Sequence, residues 1–396
     1  MSTDVPGRGL TVFLVACEES GDSLGAALMR ALAARGPVRF AGVGGHAMAA
    51  QGLQSLFPIG ELAIVGIDAV LKKLPLILRR IRETASAALA ARPEVLVIID
   101  SPDFTHRVAR KVRAAAPEIP IVDYVSPSVW AWRPGRARAM RRYVDHVLAL
   151  LPFEPAAHER LGGPPCTYVG HPLTELIGTL RPDDREAARR AATPPQVLVL
   201  PGSRSSEVMR LLEPFGGALR LTERRCGPLE IVLPTVPRLV QRVKDATATW
   251  PHRPRIVVDA REKWAAFRTA RAALAASGTV TLELAMAGIP TVVAYKVSLL
   301  EELVARLAIK TPSIVLANLV LGENVMPELL QRAATPEALA AELISLIEPG
   351  PARERQLAAF RRIDDVMQVG RAAPSARAAD IVLAAVGSRP ERGAGS

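Results

Sequence analysis

Hydrophobic residues along this chain gather in short unbroken runs separated by helix-length mixed stretches, and that rhythm carries most of the fold. Runs at 10–16, 38–43, 95–99, 121–125, 144–151 and 166–169 read as strands buried on both faces. Helical patterns fill 26–35, 64–82 and 106–116, and Pro152-Phe153-Glu154-Pro155 opens a short helix. After Val169-Gly170-His171-Pro172 the chain is polar and proline-bearing over 181–195, which marks a linker with a helix in it. The rhythm restarts at 197–200, with strands at 231–233, 256–258, 272–275 and 291–294 and helices at 208–225, 336–348, 352–369 and 372–386. Ala317-Asn318-Leu319 and Glu328-Leu329-Leu330-Gln331 read as a polar loop and a helix start. Alternating strands and helices predict an α/β chain with two doubly wound parallel sheets. The expected domains are 1–172 and 173–350, followed by closing helices over 351–386 that are candidates to pack back on the first domain, and a disordered tail over 387–396.

Composition narrows the class. With 396 residues and 49% of them hydrophobic, there is material for two cores. The net charge of +11 favours an anionic partner: phosphate ligand, nucleic acid or acidic membrane surface. Cys17, Cys166 and Cys226 are odd in number and far apart, so neither a disulfide framework nor a thiolate metal site is suggested, and a reducing setting fits. The first ten residues lack the form of a secretory signal, and no apolar run approaches the roughly 20 residues that span a bilayer.

Candidate chemistry clusters at strand ends. The run at 95–99 delivers Asp100 to the carboxyl end of a central strand, where open α/β sheets bind ligands. Asp100 is the candidate reacting group, with the turn-capping role of Asp100 and Asp103 an equal alternative. The segment 17–25 reads as a glycine-bearing turn before the first helix. It does not fit G-x-G-x-x-G, and Glu18 and Glu19 would repel a dinucleotide pyrophosphate, so a nicotinamide or flavin cofactor is argued against. His46 is read as a surface turn residue. The loop 126–136 holds two of the chain's four tryptophans, Trp130 and Trp132, beside Arg133 and Arg136. They suit stacking on a sugar or packing on acyl chains, with phosphate held by the arginines; bracing of the loop against its own domain is the plainer account. The stretch 64–82 interleaves aliphatics such as Ile67 and Leu71 with Lys72, Lys73, Arg79, Arg80 and Arg82, and Pro75 predicts a break or kink in it. It fits a helix lying on anionic lipid, though a core-packing helix with a solvated basic face fits slightly better. In the second half, Pro201-Gly202-Ser203-Arg204 and Ser277-Gly278-Thr279 each form a small-residue turn opening a helix, the pattern of a diphosphate held by free N–H groups. Glu207 closes the first turn, and Glu283 is placed to accept from ribose hydroxyls.

These residues are strung into longer motifs: Glu19-Ser20-Gly21-Asp22, Asp100-x-Pro102-Asp103-Phe104, the string Tyr-Val-Ser-Pro-Ser-Val-Trp-Ala-Trp-Arg at 124–133, Leu151-Pro152-Phe153-Glu154, Gly170-His171, Leu200-Pro201-Gly202-Ser203-Arg204-x-x-Glu207 and Ser277-Gly278-Thr279-x-Thr281-Leu282-Glu283. Together they resemble the lipid-A-disaccharide synthase family, nucleotide-sugar glycosyltransferases of the GT-B type with two Rossmann-like domains facing a cleft. The resemblance covers all but the tail, with departures at Cys17, where the family has glycine, and Ala317, where proline precedes the asparagine. It implies transfer of 2,3-diacylglucosamine from its UDP ester to 2,3-diacylglucosamine 1-phosphate, with inversion and no covalent intermediate, giving a β-1,6 disaccharide 1-phosphate and UDP. It implies Asp100 as base with Asp103 as orienter or substitute, and UDP contacts from Ser203, Arg204, Glu207, Ser277, Gly278, Thr279 and Glu283. Acceptor, acyl or membrane contacts fall to Glu19, Ser20, Asp22, Ile67, Leu71, Lys72, Lys73, Trp130, Trp132, Arg133 and Asn318. The implied setting is cytoplasmic and peripheral to the inner membrane, with UDP-diacylglucosamine, an acylated glucosamine phosphate and an anionic membrane surface as partners, no nucleic acid, no cofactor and no metal. A homo-oligomer stays open. The rivals are a UDP-sugar epimerase of the same fold and a basic membrane-binding scaffold.

Overall fold

In the computed structural model, residues 9–62, 67–298, 301–302 and 311–387 are described, those at 67–72 by their backbone alone. The chain divides into two compact units, Met1–Pro172 with Gly370–Ser396, and Leu173–Val369. The tail 388–396 lies outside the described residues.

The first unit is a parallel sheet of β1 (Leu10–Ala16), β2 (Val38–Val43), β3 (Val95–Ile99), β4 (Ile121–Tyr124), β5 (His146–Ala149) and β6 (Cys166–Tyr168), in the order β2-β1-β3-β4-β5-β6. Alternate residues of these strands feed two cores. Phe13, Val15, Leu96 and Ile98 pack with Ile81, Ala85 and Ala88 of the helix Ile67–Ala91 and with Val108 and Val112 of the helix Pro102–Ala115. Val12, Leu14, Val97 and Ile99 pack with Leu28, Met29 and Leu32 of the helix Glu19–Ala33, and with Ala378, Ala379 and Val382 of the closing helix Pro374–Gly387. Burial on both faces explains why the strands are apolar throughout.

Two local expectations fail, each for a packing reason. The helix expected from 26 begins at Glu19, so Gly21 and Gly25 are helical, not part of a turn. A Cβ on Gly25 would lie 2.5 Å from Met48 Sδ and one on Gly21 3.3 Å from the Ile99 carbonyl oxygen, so the glycines permit close approach. Pro75 does not break its segment: the helix runs from Ile67 to Ala91 with Pro75 inside, and its burial further along at Ile81, Ala85 and Ala88 offsets one lost backbone bond.

The second unit repeats the plan with β7 (Gln196–Leu200), β8 (Glu230–Pro234), β9 (Arg255–Val257), β10 (Ala272–Ala276), β11 (Thr291–Tyr295) and β12 (Glu328–Leu330), in the order β12-β11-β10-β7-β8-β9. Val197, Val199, Leu274 and Val292 pack with Leu211 and Phe215 of the helix Ser205–Cys226 and with Leu339 and Leu343 of the helix Pro336–Ile347. The helix Pro351–Met367 also belongs to this unit. Residues 328–330, expected to lead into a helix, are an edge strand paired in parallel with β11 through Val293 and Glu328. The α/β architecture of two doubly wound parallel sheets is as the hydrophobic rhythm predicts.

Candidate functional site

In the first sheet β1 is followed by β2 on one side and, after a crossover, by β3 on the other, so the strand order reverses between β1 and β3. A crevice opens at such a switch point, outside the carboxyl ends. Asp100 and Ser101 follow β3 there, and Glu18 follows β1; Ser101 Oγ donates to Glu18 Oε1 at 3.1 Å. Asp100 and Ser101 have φ of 54° and 45°, and Val125 after β4 has 89°. Such backbone costs about 1–3 kcal/mol per residue and concentrates at working sites. Asp100 is pinned at both backbone ends: its N–H donates to the Tyr124 carbonyl at 3.0 Å and its carbonyl accepts from Thr105 Oγ1 at 2.7 Å. Its carboxyl sits above the usual aspartate range, mainly through burial, with Glu18 and Asp123 adding repulsion, while the Ser101 N–H and the Ser20 hydroxyl partly offset this by hydrogen bonding. A half-buried carboxylate held this way is chemically suited to take a proton. Asp103 differs: it is exposed in the first turn of its helix and lies 3.3 Å from Arg136 Nη2.

The other candidates of this unit separate into free and committed side chains. Asp22 is committed, being 5% exposed and accepting from the N–H groups of Gly45, Ala47 and Met48 at 2.7, 2.8 and 3.0 Å. It anchors the Gly44-Gly45 turn, and these three bonds occupy its carboxylate. Glu19 is exposed in the first turn of its helix, and Ser20 stands beside Asp100. Trp130 is braced inward, its Nε1 donating to Glu154 at 3.2 Å and its ring meeting Phe153 edge-on at 5.1 Å. Trp132 instead is 40% exposed, with the Arg133 guanidinium 4.2 Å over its ring. Trp130 fits the bracing account, while Trp132 is left accessible. On the helix Ile67–Ala91, Lys73 Nζ donates to the Glu61 carbonyl at 3.3 Å. Leu74 and Leu78 are exposed together with Arg79 and Arg82, whereas Arg80 pairs with Glu61 and Glu83. Residues 64–66, and the side chains of Ile67, Leu71 and Lys72, lie outside the described residues.

In the second sheet the order reverses between β7 and β10, and the two small-residue turns flank that point. Ser203 and Arg204 lead from β7 into the helix Ser205–Cys226; Ser277 and Gly278 lead from β10 into the helix Thr279–Met286. Gly202 and Gly278 have φ of 107° and 148°, which glycine adopts without strain. The Arg204 side chain is 76% exposed and bonds Glu207 at 2.9 Å; Glu207 also accepts from the Tyr295 hydroxyl at 3.3 Å. Glu283 pairs with Lys263 at 2.7 Å. Ser277 Oγ donates to the Ile314 carbonyl at 2.6 Å. Asn318, expected as an acceptor contact, is 2% exposed in this unit, with its amide bonded to Glu328 and to the backbone of Val325 and Met326. It ties a loop behind the Ser277 turn through these bonds.

Arg238 and Arg242 belong to no motif and were not anticipated. They follow β8, the neighbour of β7, one helical turn apart; Arg238 Nη2 donates to the Ser203 carbonyl at 2.9 Å and Arg242 to the Ser205 hydroxyl. With Arg204 they place three guanidinium groups on one turn. No local signal in the sequence marks them, because the adjacency of β8 to β7 is what brings them to this turn.

Among the described residues no group of three or more His, Cys, Asp or Glu side chains is placed to hold a metal ion, and no helix is long and apolar enough to cross a membrane.

A family model described as lipid-A-disaccharide synthetase matches residues 12–382. The lipid-A-disaccharide synthase of Nitrobacter hamburgensis is 61% identical over 374 residues, 94% of each chain. Among solved structures, a UDP co-structure of S. aureus MnaA covers 97% of this chain and 99% of that one with a TM-score of 0.64 at 12% identity. Acinetobacter baumannii MurG covers 95% and 100%, with a TM-score of 0.58 at 15% identity. At those identities the structural likeness speaks for the fold alone.

Proposed function

This chain belongs to the lipid-A-disaccharide synthetase family and is a hexosyltransferase of lipid A biosynthesis with the GT-B fold, acting on a UDP-sugar and an acylated glucosamine; from that premise we propose how its residues divide the work. The donor is UDP-2,3-diacylglucosamine and the acceptor 2,3-diacylglucosamine 1-phosphate. Asp100 takes the proton of the acceptor hydroxyl as its oxygen attacks the anomeric carbon from the face opposite the diphosphate. The bond from that carbon to the phosphate oxygen breaks, and UDP leaves with the electron pair, so the anomeric centre inverts. Charge developing on the leaving group is met by Arg204, Arg238 and Arg242 and by the N–H groups at the starts of the helices Ser205–Cys226 and Thr279–Met286. Glu207 orients Arg204, and Glu283 with Lys263 meets the ribose. Trp132 and Arg133 contact the acceptor, and Asp103 with Arg136 flanks the base.

Leu74 and Leu78, exposed beside Arg79 and Arg82, suit the surface of an anionic membrane, and this supports a peripheral position at the cytoplasmic face of the inner membrane as part of the proposal. The observation that carries the base assignment is Asp100 at the β1/β3 switch point, strained, pinned and with its carboxyl raised by burial. Incubation with both substrates should yield the disaccharide 1-phosphate and UDP in equal amounts; no product at any acyl length would overturn the proposal.

A further inference from the structure

The loop that carries Trp132 and Arg133 is held from inside by one acid that the mechanism does not use. Glu154 is 3% exposed and opens the helix Glu154–Arg160 after β5. Its Oε1 accepts the Trp130 indole N–H at 3.2 Å and its Oε2 the Leu151 N–H at 2.9 Å, with a further bond from the Leu150 N–H. Residues 128–132 form one turn, closed by bonds from the N–H groups of Ala131 and Trp132 to the Ser128 carbonyl at 3.0 and 3.1 Å. Trp130 anchors that turn inward and Trp132 stands outward.

We infer that Glu154 is the positioning residue of the acceptor loop: its ionised carboxylate, through Trp130, fixes the turn that presents Trp132 and Arg133. This rests on the reading of that loop as an acceptor contact. A carboxylate can accept from all three N–H groups, whereas a protonated acid must place an O–H among three donors. Glu154 is pushed up to about 7, mainly by burial; the Leu151, Trp130 and Leu150 N–H groups oppose the rise and Asp123 adds to it. The groups around it are Asp123 from β4, Cys166 and Tyr168 from β6, and His158 of its own helix, whose imidazole burial pushes down against an opposing pull from Asp123. The brace therefore loosens as pH falls through neutrality.

Acceptor and donor KM and intrinsic tryptophan fluorescence would be followed from about pH 6 to pH 8. The wild-type acceptor KM should fall several-fold as pH rises, with donor KM flat, and fluorescence should move with a midpoint near the Glu154 value. In Glu154→Gln the acceptor KM should stay near the wild type's low-pH value across the range and no longer vary, and the fluorescence transition should vanish. Trp130→Phe keeps the ring on Phe153 and removes the N–H, so it makes the same test should Glu154→Gln fail to fold. A folded variant with wild-type acceptor KM across the range, or a fluorescence transition unchanged in both variants, overturns the inference. Trp132→Ala tests the underlying reading: an unchanged acceptor KM would remove the positioning role even with the fluorescence behaving as expected.

Discussion

Replacing Asp22 with alanine takes the acceptor from three backbone N–H groups at once. The bond to Met48 is buried and those to Gly45 and Ala47 are partly so. An orphaned buried donor costs about 1–3 kcal/mol; with the upper figure for Met48 and the lower for the two that water reaches, the loss is about 5 kcal/mol. The turn is built against the carboxylate: a Cβ on Gly45 would stand 2.7 Å from Asp22 Oδ2. Such a loss is a large part of the roughly 5–15 kcal/mol that holds a domain together. For a unit of this size each kcal/mol moves a melting temperature by about 2–4 °C, so the first unit's transition should drop by roughly 10–20 °C. Calorimetric scans of wild type and Asp22→Ala would show it, with acceptor KM measured below both transitions and expected to be unchanged. A variant that melts with the wild type yet binds acceptor poorly would refute the reasoning and return Asp22 to the site as a contact group.

Other outcomes follow from the same geometry. Gly42 has φ of 135° and a Cβ there would lie 1.8 Å from the Leu14 carbonyl oxygen, so Gly42→Ala should cost more than about 4 kcal/mol and abolish the cooperative transition, while Gly52→Ala, with a φ of 93° but open space around it, should cost only its backbone strain. Arg238→Ala and Arg242→Ala should each weaken UDP binding, read by calorimetric titration, and reduce its dependence on salt; unchanged affinity in the double variant would remove both from the site. Because burial raises the Asp100 carboxyl, the acid limb of kcat/KM should lie above the value of a free aspartate, about 3.9. The stability sign is opposite: a carboxyl raised in the folded state contributes stability at low pH that is lost as pH rises through its folded value, so Asp100→Asn should melt higher than wild type near pH 7.

Much of this was legible in the chain because parallel strands buried on both faces leave unbroken apolar runs: 10–16 and 38–43 are β1 and β2 residue for residue. β12 was not, since a three-residue edge strand opening on Glu328 acquires its identity only from pairing with β11. Gly21 and Gly25 misled because glycine serves turns and close packing alike, and only Met48 and Ile99 distinguish the two. The position of Asp100 could be read from a strand ending on an acid. The commitments of Asp22, Asn318 and Trp130 could not, because they are set by Gly45, Ala47 and Met48, by Val325 and Met326, and by Glu154, partners that no local pattern announces. Arg238 and Arg242 escaped for the same reason: the adjacency of β8 to β7 brings them to the Ser203 turn.

The central claim, that Asp100 is the general base, is met most directly by the turnover of Asp100→Asn at saturating substrates with UDP affinity measured in parallel. The loss of a positioned base predicts a fall in kcat of about 10²–10⁴ with UDP binding intact. Turnover close to wild type in a variant that still binds UDP would contradict it.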